Sequence, residues 1–444
     1  VTRAGAGRRL AVVGAGWAGL AAAVRGVDQG WHVTVFELAG QAGGRARSVA
    51  LPASGQSTDG AGLALVDNGQ HILIGAYART LALLRHVGVD PQSALLRRPL
   101  TLAYPDGTGL RLPPGPPLQA LLRGVAAHAG WGWRDKAALL AAATRWWSQG
   151  FRCDATLTVA ALCAELPAAV RRDLIDPLCI AALNTPAAQA SATVFLRVLQ
   201  DALLGDRGSA DLLLPRLPLS QLLPDPALRW LRQHGADVRL GHRVHALERV
   251  TSMSPAAWSI DGVGFDAVVL ACPARQAATL AAPHAAAWAA QAAALTYEPI
   301  VTGWLRDDRL RLPAPMLALH DGPMAPAQFI FDLGQLGQPS GLFSLVASGA
   351  AHWVGLGLPA TGDALLAQAR AAFPGHFQTT DALRHLAAER RATFACTPGL
   401  QRPATAVAAG LVAAGDFVAG PYPATLEGAV RAGEAALAAL GSSH

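Results

Sequence analysis

An apolar run, Arg9-Leu-Ala-Val-Val13, leads directly into Gly14-Ala-Gly16-Trp-Ala-Gly19. An alanine-rich stretch follows to about Gln29, and Trp31 to Glu37 is apolar again. The pattern predicts strand, helix and strand, with three glycines in the first turn, and so a β-α-β dinucleotide-binding unit. Gly14 permits the tight turn, Gly16 lets backbone N–H groups approach a pyrophosphate, and Gly19 lets helix and strand pack closely. The helix N-terminus adds partial positive charge for the phosphates. Glu37 ends the second strand, where a carboxylate can take both ribose hydroxyls. With 46 glycines in 444 residues the glycine spacing alone is common, so the flanking strand, helix and acid carry the reading.

The alternation continues downstream. Residues 90–210 are broken by prolines and then helical. In 210–275 the end of a helix (Leu228 to Gly235) precedes strands at Asp237–Leu240, His242–Leu247 and Phe265–Ala271. Residues 295–350 read as further strands and 361–391 as helix. The tail holds an apolar strand at Leu411, the pair Gly415-Asp416, a Gly/Pro loop and a helix from about Ala424 to Leu440. This predicts a nucleotide-binding domain in three segments (1–80, 210–280, 389–444). A substrate domain is inserted twice (81–209, mostly helical; 281–388, strand-rich).

Composition narrows the function. Hydrophobic residues make up 52% and charged residues 15%, which excludes a disordered chain and leaves more apolar material than a core needs. The net charge of +6 comes almost wholly from scattered arginines, Lys136 being the single lysine. No basic run interleaved with aromatics marks a nucleic-acid partner, and the Ala and Arg excess reads as coding bias. Five cysteines (Cys153, Cys163, Cys179, Cys272, Cys396) form no CxxC pair and read as buried apolar groups in a reducing compartment. His242 and His245, three apart in an apparent strand, point to opposite faces and make no metal site. Residues 1–9, with Arg3, Arg8 and Arg9, carry no signal-peptide pattern. The longest uncharged stretch, 333–362, is too rich in Gly, Gln and Pro for a membrane span, so a cytoplasmic protein is expected.

Gly43-Gly44-Arg45-Ala46, shortly after Glu37, resembles the flavoprotein superfamily of amine oxidases and phytoene desaturases. Two longer blocks, Asp67-Asn-Gly-Gln-His71-Ile-Leu-Ile-Gly-Ala-Tyr77 and Tyr422-Pro-Ala-Thr-Leu-Glu-Gly-Ala-Val-Arg-Ala-Gly433, resemble the bacterial squalene-associated FAD-dependent desaturases, the hydroxysqualene dehydroxylase family. The resemblance implies an α/β fold: a Rossmann-like, glutathione-reductase-type FAD-binding domain interleaved with an α+β substrate domain. It implies FAD as cofactor, a hydrophobic C30 isoprenoid as substrate and an electron donor that the sequence does not name. The reaction implied is replacement of the allylic hydroxyl of hydroxysqualene by hydride, giving squalene and water. An oxidative polyene desaturase is the alternative enzyme, and a prenyl-lipid carrier of the GDP-dissociation-inhibitor type the non-catalytic one.

Residue by residue, Gly14, Gly16, Gly19, Glu37, Gly44 and Arg45 match the superfamily's FAD pattern. Val244 matches a strand residue at the adenine, Asp416 the acid near the pyrophosphate, and Glu427, Gly428 and Ala429 the helix start beside the isoalloxazine. Gly69, Gln70 and His71 fall at the flavin's substrate side, which makes His71 the preferred general acid. Asp67, Tyr297 and Glu298 are lesser proton donors. The flavin-site lysine of many amine oxidases has no counterpart, since Lys136 lies in the helical insert. Trp131, Trp133, Trp146 and Trp147, with Lys136 and Arg145, suggest either a helix packing its aromatics into the substrate domain or one in peripheral contact with a membrane.

Overall fold

The computed structural model describes residues 7–50, 65–250, 257–379 and 381–441, so Arg3 lies outside the described residues. The elements that position the site begin with β1 (Arg9–Val13), α1 (Trp17–Asp28), β2 (His32–Glu37) and α2 (Ala78–His86). The helical stretch contributes α3 (Pro117–Ala127) and α4 (Trp133–Ser148), followed by β3 (Asp237–Leu240) and β4 (Ala267–Leu270). Then come β5 (Tyr297–Arg306), β6 (Met316–Ala318), β7 (Phe329–Asp332), β8 (Leu342–Ala347), α5 (Leu358–Ala372) and β9 (Leu383–Phe394). The chain closes with β10 (Ala406–Ala408), β11 (Leu411–Ala413) and α6 (Leu426–Gly441).

The first sheet has the order β3-β2-β1-β4-β11-β10 and is parallel except for the β10 edge. Its central strands are continuously apolar because helices cover them: Leu10, Val12, Val35 and Val269 are fully buried. Small residues bring α1 and α6 together on one face. A Cβ on Gly433 would stand 2.3 Å from the Ala18 carbonyl oxygen and 2.9 Å from Ala21 Cβ. Glycine at 433 is therefore a packing requirement, and the small side chain of Ala21 lies in the same contact.

The second sheet, β6-β7-β8-β5-β9, is antiparallel and carries its own apolar layer with α5. Here the sequence expectation of helix over 361–391 is corrected. The helix stops at Ala372, ahead of Pro374-Gly375, and Leu383–Phe394 is a strand paired with β5. Its Leu, Ala, Glu and Arg content favours helix locally, and cross-strand pairing overrides that preference. The expected strand at 242–247 is also absent. Residues 242–246 are irregular, and only Leu247–Arg249 pairs, with Trp258–Ile260. The Asp261 carboxylate accepts from the His245 and Ala246 amides (3.1 and 2.9 Å), replacing ladder bonds.

In the helical stretch, α4 divides its tryptophans. Trp146 and the preceding Trp131 are buried, and Trp131 Nε1 donates to the Asp173 carboxylate at 3.3 Å. Trp133 and Trp147 are exposed. His128, at the α3–α4 joint, is buried and stacks on Trp131 with centroids 4.0 Å apart. Neither of its ring nitrogens has a hydrogen-bond partner among the described residues. Burial holds this imidazole below its ordinary pKa and the Lys136 charge adds to that, while Asp173 opposes it. The folded form thus binds fewer protons than the unfolded chain as pH falls below about 6.5, and stability is lost in that direction. Denaturation midpoints at pH 7 and pH 5 should differ less in His128→Phe, which keeps the stack without the titration, than in the native chain. An equal difference would remove His128 from the acid response.

Candidate functional site

The two glycine turns meet. Gly14 has φ +112°, and a Cβ there would strike the Ala271 carbonyl oxygen at 2.5 Å; a Cβ on Gly19 would lie 1.8 Å from the Gly14 carbonyl oxygen. Gly43 (φ +110°) donates its amide to the Ala15 carbonyl at 2.8 Å, and Gly16 and Gly43 form a parallel bridge. Glu37, at the end of β2, accepts from the Ala15 amide (2.7 Å) and the Ala39 amide (2.8 Å). Its carboxylate is thereby fixed beside the turn. The chain after β3 joins the same corner through Gly241 N–H to Ala39 and His242 N–H to the Glu37 carbonyl. Val244 is buried in this irregular link rather than in a strand.

Arg45 ties three parts of the chain together. Its guanidinium donates to the Asp416 carboxylate at 2.5 Å and to the Ala392 carbonyl of β9 at 2.7 Å. Asp416 follows β11 in a loop that Arg402 braces by donating to the carbonyls of Val418 and Gly420. Tyr422 and Ala424 in that loop have φ +58°, a left-handed conformation costing about 1–3 kcal/mol each in non-glycine residues. The loop folds onto α6 so closely that a Cβ on Gly428 would lie 2.0 Å from the Tyr422 carbonyl oxygen.

The two sequence blocks that narrowed the resemblance are in contact. Tyr77 and Tyr422 meet edge to face at 6.0 Å. Glu427, fully buried, accepts from the Arg79 and Thr80 amides (3.1 and 2.9 Å), Thr80 Oγ1 (2.8 Å) and Arg431 Nε (2.7 Å). Its carboxylate thus caps α2. The amides of Gly428 and Ala429 are likewise taken, by Thr425 Oγ1 (3.0 Å) and the Thr425 carbonyl (3.0 Å). What α6 can offer a cofactor is its N-terminal dipole and the amides ahead of Gly428.

Gly69, Gln70 and His71 form a half-buried turn, with Gly69 at φ +98° close to Thr302 of β5. The His71 Nδ1–H donates to the Gly69 carbonyl at 2.9 Å. Burial lowers the His71 pKa, the Gly69 carbonyl opposes this, and the Arg45 charge adds to it. His71 is therefore a neutral imidazole at pH 7. Of the lesser donors, Asp67 is committed elsewhere: it accepts from Ser48 Oγ (2.8 Å) and the Leu219 amide (2.7 Å), and burial pushes it up to about 6. Tyr297 and Glu298 begin β5, half-buried, both with pKa raised by burial.

Sequence reasoning missed Thr425, Arg402 and Asn184. Asn184 (φ +46°) donates to the Glu298 carbonyl and Thr393 Oγ1 and accepts from the Gly349 amide, tying the helical stretch to β5 and β9. The T-x-x-G spacing of Thr425 and Gly428 was a readable capping signal; the other two have none.

The fit of these residues to FAD can be tested at Gly16. It has φ −72°, and a Cβ there would find nothing nearer than Gly44 Cα at 4.0 Å. The fold itself thus tolerates a side chain at this position, and the glycine leaves the turn's backbone open to the close approach a pyrophosphate needs. The N-terminus of α1 has neither an acidic residue in its first turn nor a side-chain cap, which leaves its positive end for phosphate. FAD fits. Fold and site together define an FAD-dependent oxidoreductase.

The sequence profile of the family described as flavin-containing amine oxidoreductases matches residues 17–440, and the chain belongs to that family. It is 28% identical to a hydroxysqualene dehydroxylase of Sinorhizobium fredii over 97% of each chain. A second hydroxysqualene dehydroxylase, of Rhodopseudomonas palustris, is 31% identical over 61% of this chain and 62% of its own. In fold the chain resembles an oxidoreductase from Methanosarcina mazei (TM-score 0.72, 14% identity, 97% of this chain and 100% of that one). It also resembles cyclohexylamine oxidase from Brevibacterium oxydans (TM-score 0.65, 18% identity, 98% and 99%).

Proposed function

We propose that the protein reductively removes the allylic hydroxyl of hydroxysqualene, giving squalene and water. The observation that carries this reading is the likeness to a hydroxysqualene dehydroxylase along 97% of both chains. The site chemistry supports it. Bound FAD, reduced by an external donor, supplies the hydride for this reaction. Gly14, Gly16, Gly19 and Gly44 would admit its pyrophosphate, Glu37 its ribose, and the Arg45–Asp416 pair would flank it. Val244 would border the adenine, and the start of α6 would border the isoalloxazine.

The C–O bond breaks with its electron pair on oxygen, a C–H bond forms, and one proton is needed to release water. We assign that proton to His71, which lies between Arg45 and β5. The apolar residues Ile72, next to it in the chain, Ile74 and Ile300, half-buried and packed against the same hydrophobic core, would help keep water from a developing allylic cation. Lys136 donates to the Ala126 carbonyl at 2.7 Å in the α3–α4 joint, so its ammonium serves the helical insert, which weighs against amine oxidation.

The test is anaerobic incubation of the holoenzyme with hydroxysqualene and dithionite, followed by product analysis. Squalene is expected, and turnover should climb only as pH falls beneath the ordinary histidine range, because burial holds back the protonation of His71. His71→Ala should keep FAD, lose about 10²–10⁴-fold in rate and flatten that rise. No squalene from a fully reduced enzyme overturns the reading. A product with an added double bond, formed by the oxidised enzyme from a polyene, replaces it with desaturation.

A further inference from the structure

Ten large hydrophobic side chains are exposed among the described residues, and four of them fall within 118–147. Leu118 and Leu122, 46% and 45% exposed, stand one turn apart on α3. Trp133 and Trp147, 75% and 59% exposed, are the two exposed tryptophans of the described chain. Fourteen residues separate them, close to four helical turns, so they share one stripe of α4 and lie roughly 21 Å apart along it. Partly buried Leu140 and exposed Ala137 lie on the same stripe.

The helices that carry this face are held firmly. Buried Trp131 and Trp146 anchor α4 on its other side, and Lys136 bonds the end of α3. The charges over 117–148 are Arg123, Arg134, Lys136 and Arg145 against Asp135, a net +3. Asp135 is engaged at the N-terminus of its own helix, bonding the Gly132 amide. Arg145 pairs with Glu165, while Arg123 and Arg134 are exposed.

We propose that this face of α3 and α4 is a docking surface for an anionic lipid bilayer. The helices would lie flat, Trp133, Trp147, Leu118 and Leu122 entering the acyl boundary and Arg123 and Arg134 meeting the headgroups. Two tryptophans at the ends of one stripe match an in-plane helix, which presents its whole length to the interface. Amphipathic tryptophan rings suit the headgroup boundary, and arginine stems reach from apolar surface to anionic groups. Charge decides against a second copy of the chain as occupant, because two such faces would bring the exposed Arg123 and Arg134 against their own copies. The face is argued without reference to the reaction, so it stands or falls separately from hydroxysqualene turnover.

The experiment is flotation of the FAD-loaded protein with vesicles of phosphatidylcholine containing phosphatidylglycerol. The native protein should float, and Trp133→Ser/Trp147→Ser should lower the partition coefficient by at least about tenfold. Arg123→Glu/Arg134→Glu should lose binding to the mixed vesicles while both variants keep bound flavin. With detergent-dispersed hydroxysqualene the variants should turn over at the native rate; if none turns over, the reaction assignment fails and the flotation result still decides this surface. Native protein that stays with the soluble fraction, or tryptophan variants that float as well as native, overturns the proposal. Variants that lose self-association instead of flotation assign the face to a second copy.

Discussion

Gly16→Ala should give a folded protein that has lost its flavin. The new methyl group finds free space within the chain, 4.0 Å from Gly44 Cα, and the backbone at φ −72° is ordinary for alanine. It occupies the path by which the amides of the first turn reach a pyrophosphate. FAD affinity should fall about 100-fold, or ~2.8 kcal/mol. The denaturation midpoint of the apoprotein should not move. Gly19→Ala is the contrasting case: its Cβ would sit 1.8 Å from the Gly14 carbonyl oxygen, so strand and helix must part and folded yield should collapse. Flavin titration of purified apoprotein, with circular dichroism alongside, separates the two. A Gly16→Ala protein that leaves gel filtration with stoichiometric FAD would show that the pyrophosphate lies elsewhere.

Glu427→Ala should be strongly destabilising. One carboxylate takes two α2 amides, the Thr80 hydroxyl and the Arg431 guanidinium. Its removal strands those donors where water reaches them poorly, at a cost of about 3–5 kcal/mol. Glu427→Gln retains an acceptor for α2 and should lose much less. In a chain of 444 residues unfolding is best followed as a rate, so inactivation half-lives of apoprotein at fixed temperature are the measurement. Half-lives equal to native would show that α2 is held by its apolar face alone.

What could be read from the sequence was local. The glycines at 14, 16 and 19, the acid at 37 and the Gly43-Gly44-Arg45 turn lie within one β-α-β unit, where each residue's demand is set by its near neighbours. Glu427 was visible as part of a block, yet its role depends on Thr80, 347 positions away, and no spacing rule reaches that far. Leu383–Phe394 misled for a different reason: residues that favour helix locally form a strand because β5 offers them a ladder. The alanines of α1 looked like compositional noise until Gly433 of α6 was seen against Ala18 and Ala21. Buried and outward tryptophans are likewise identical in sequence, and only packing separates Trp146 from Trp147.

The order of the first sheet bears on how the protein is made. Central strand β1 is made long before its partner β4, which pairs Ala267 with Leu10, and α6 covers α1 only from Leu426 onward. The nascent chain must therefore carry an uncovered apolar β-α-β unit until β4 and α6 have been made. Non-local pairing of this kind folds slowly and leaves apolar surface exposed until the late elements arrive. Arg45 likewise gains its partner Asp416 only when the strand and loop near the end of the first sheet have been made.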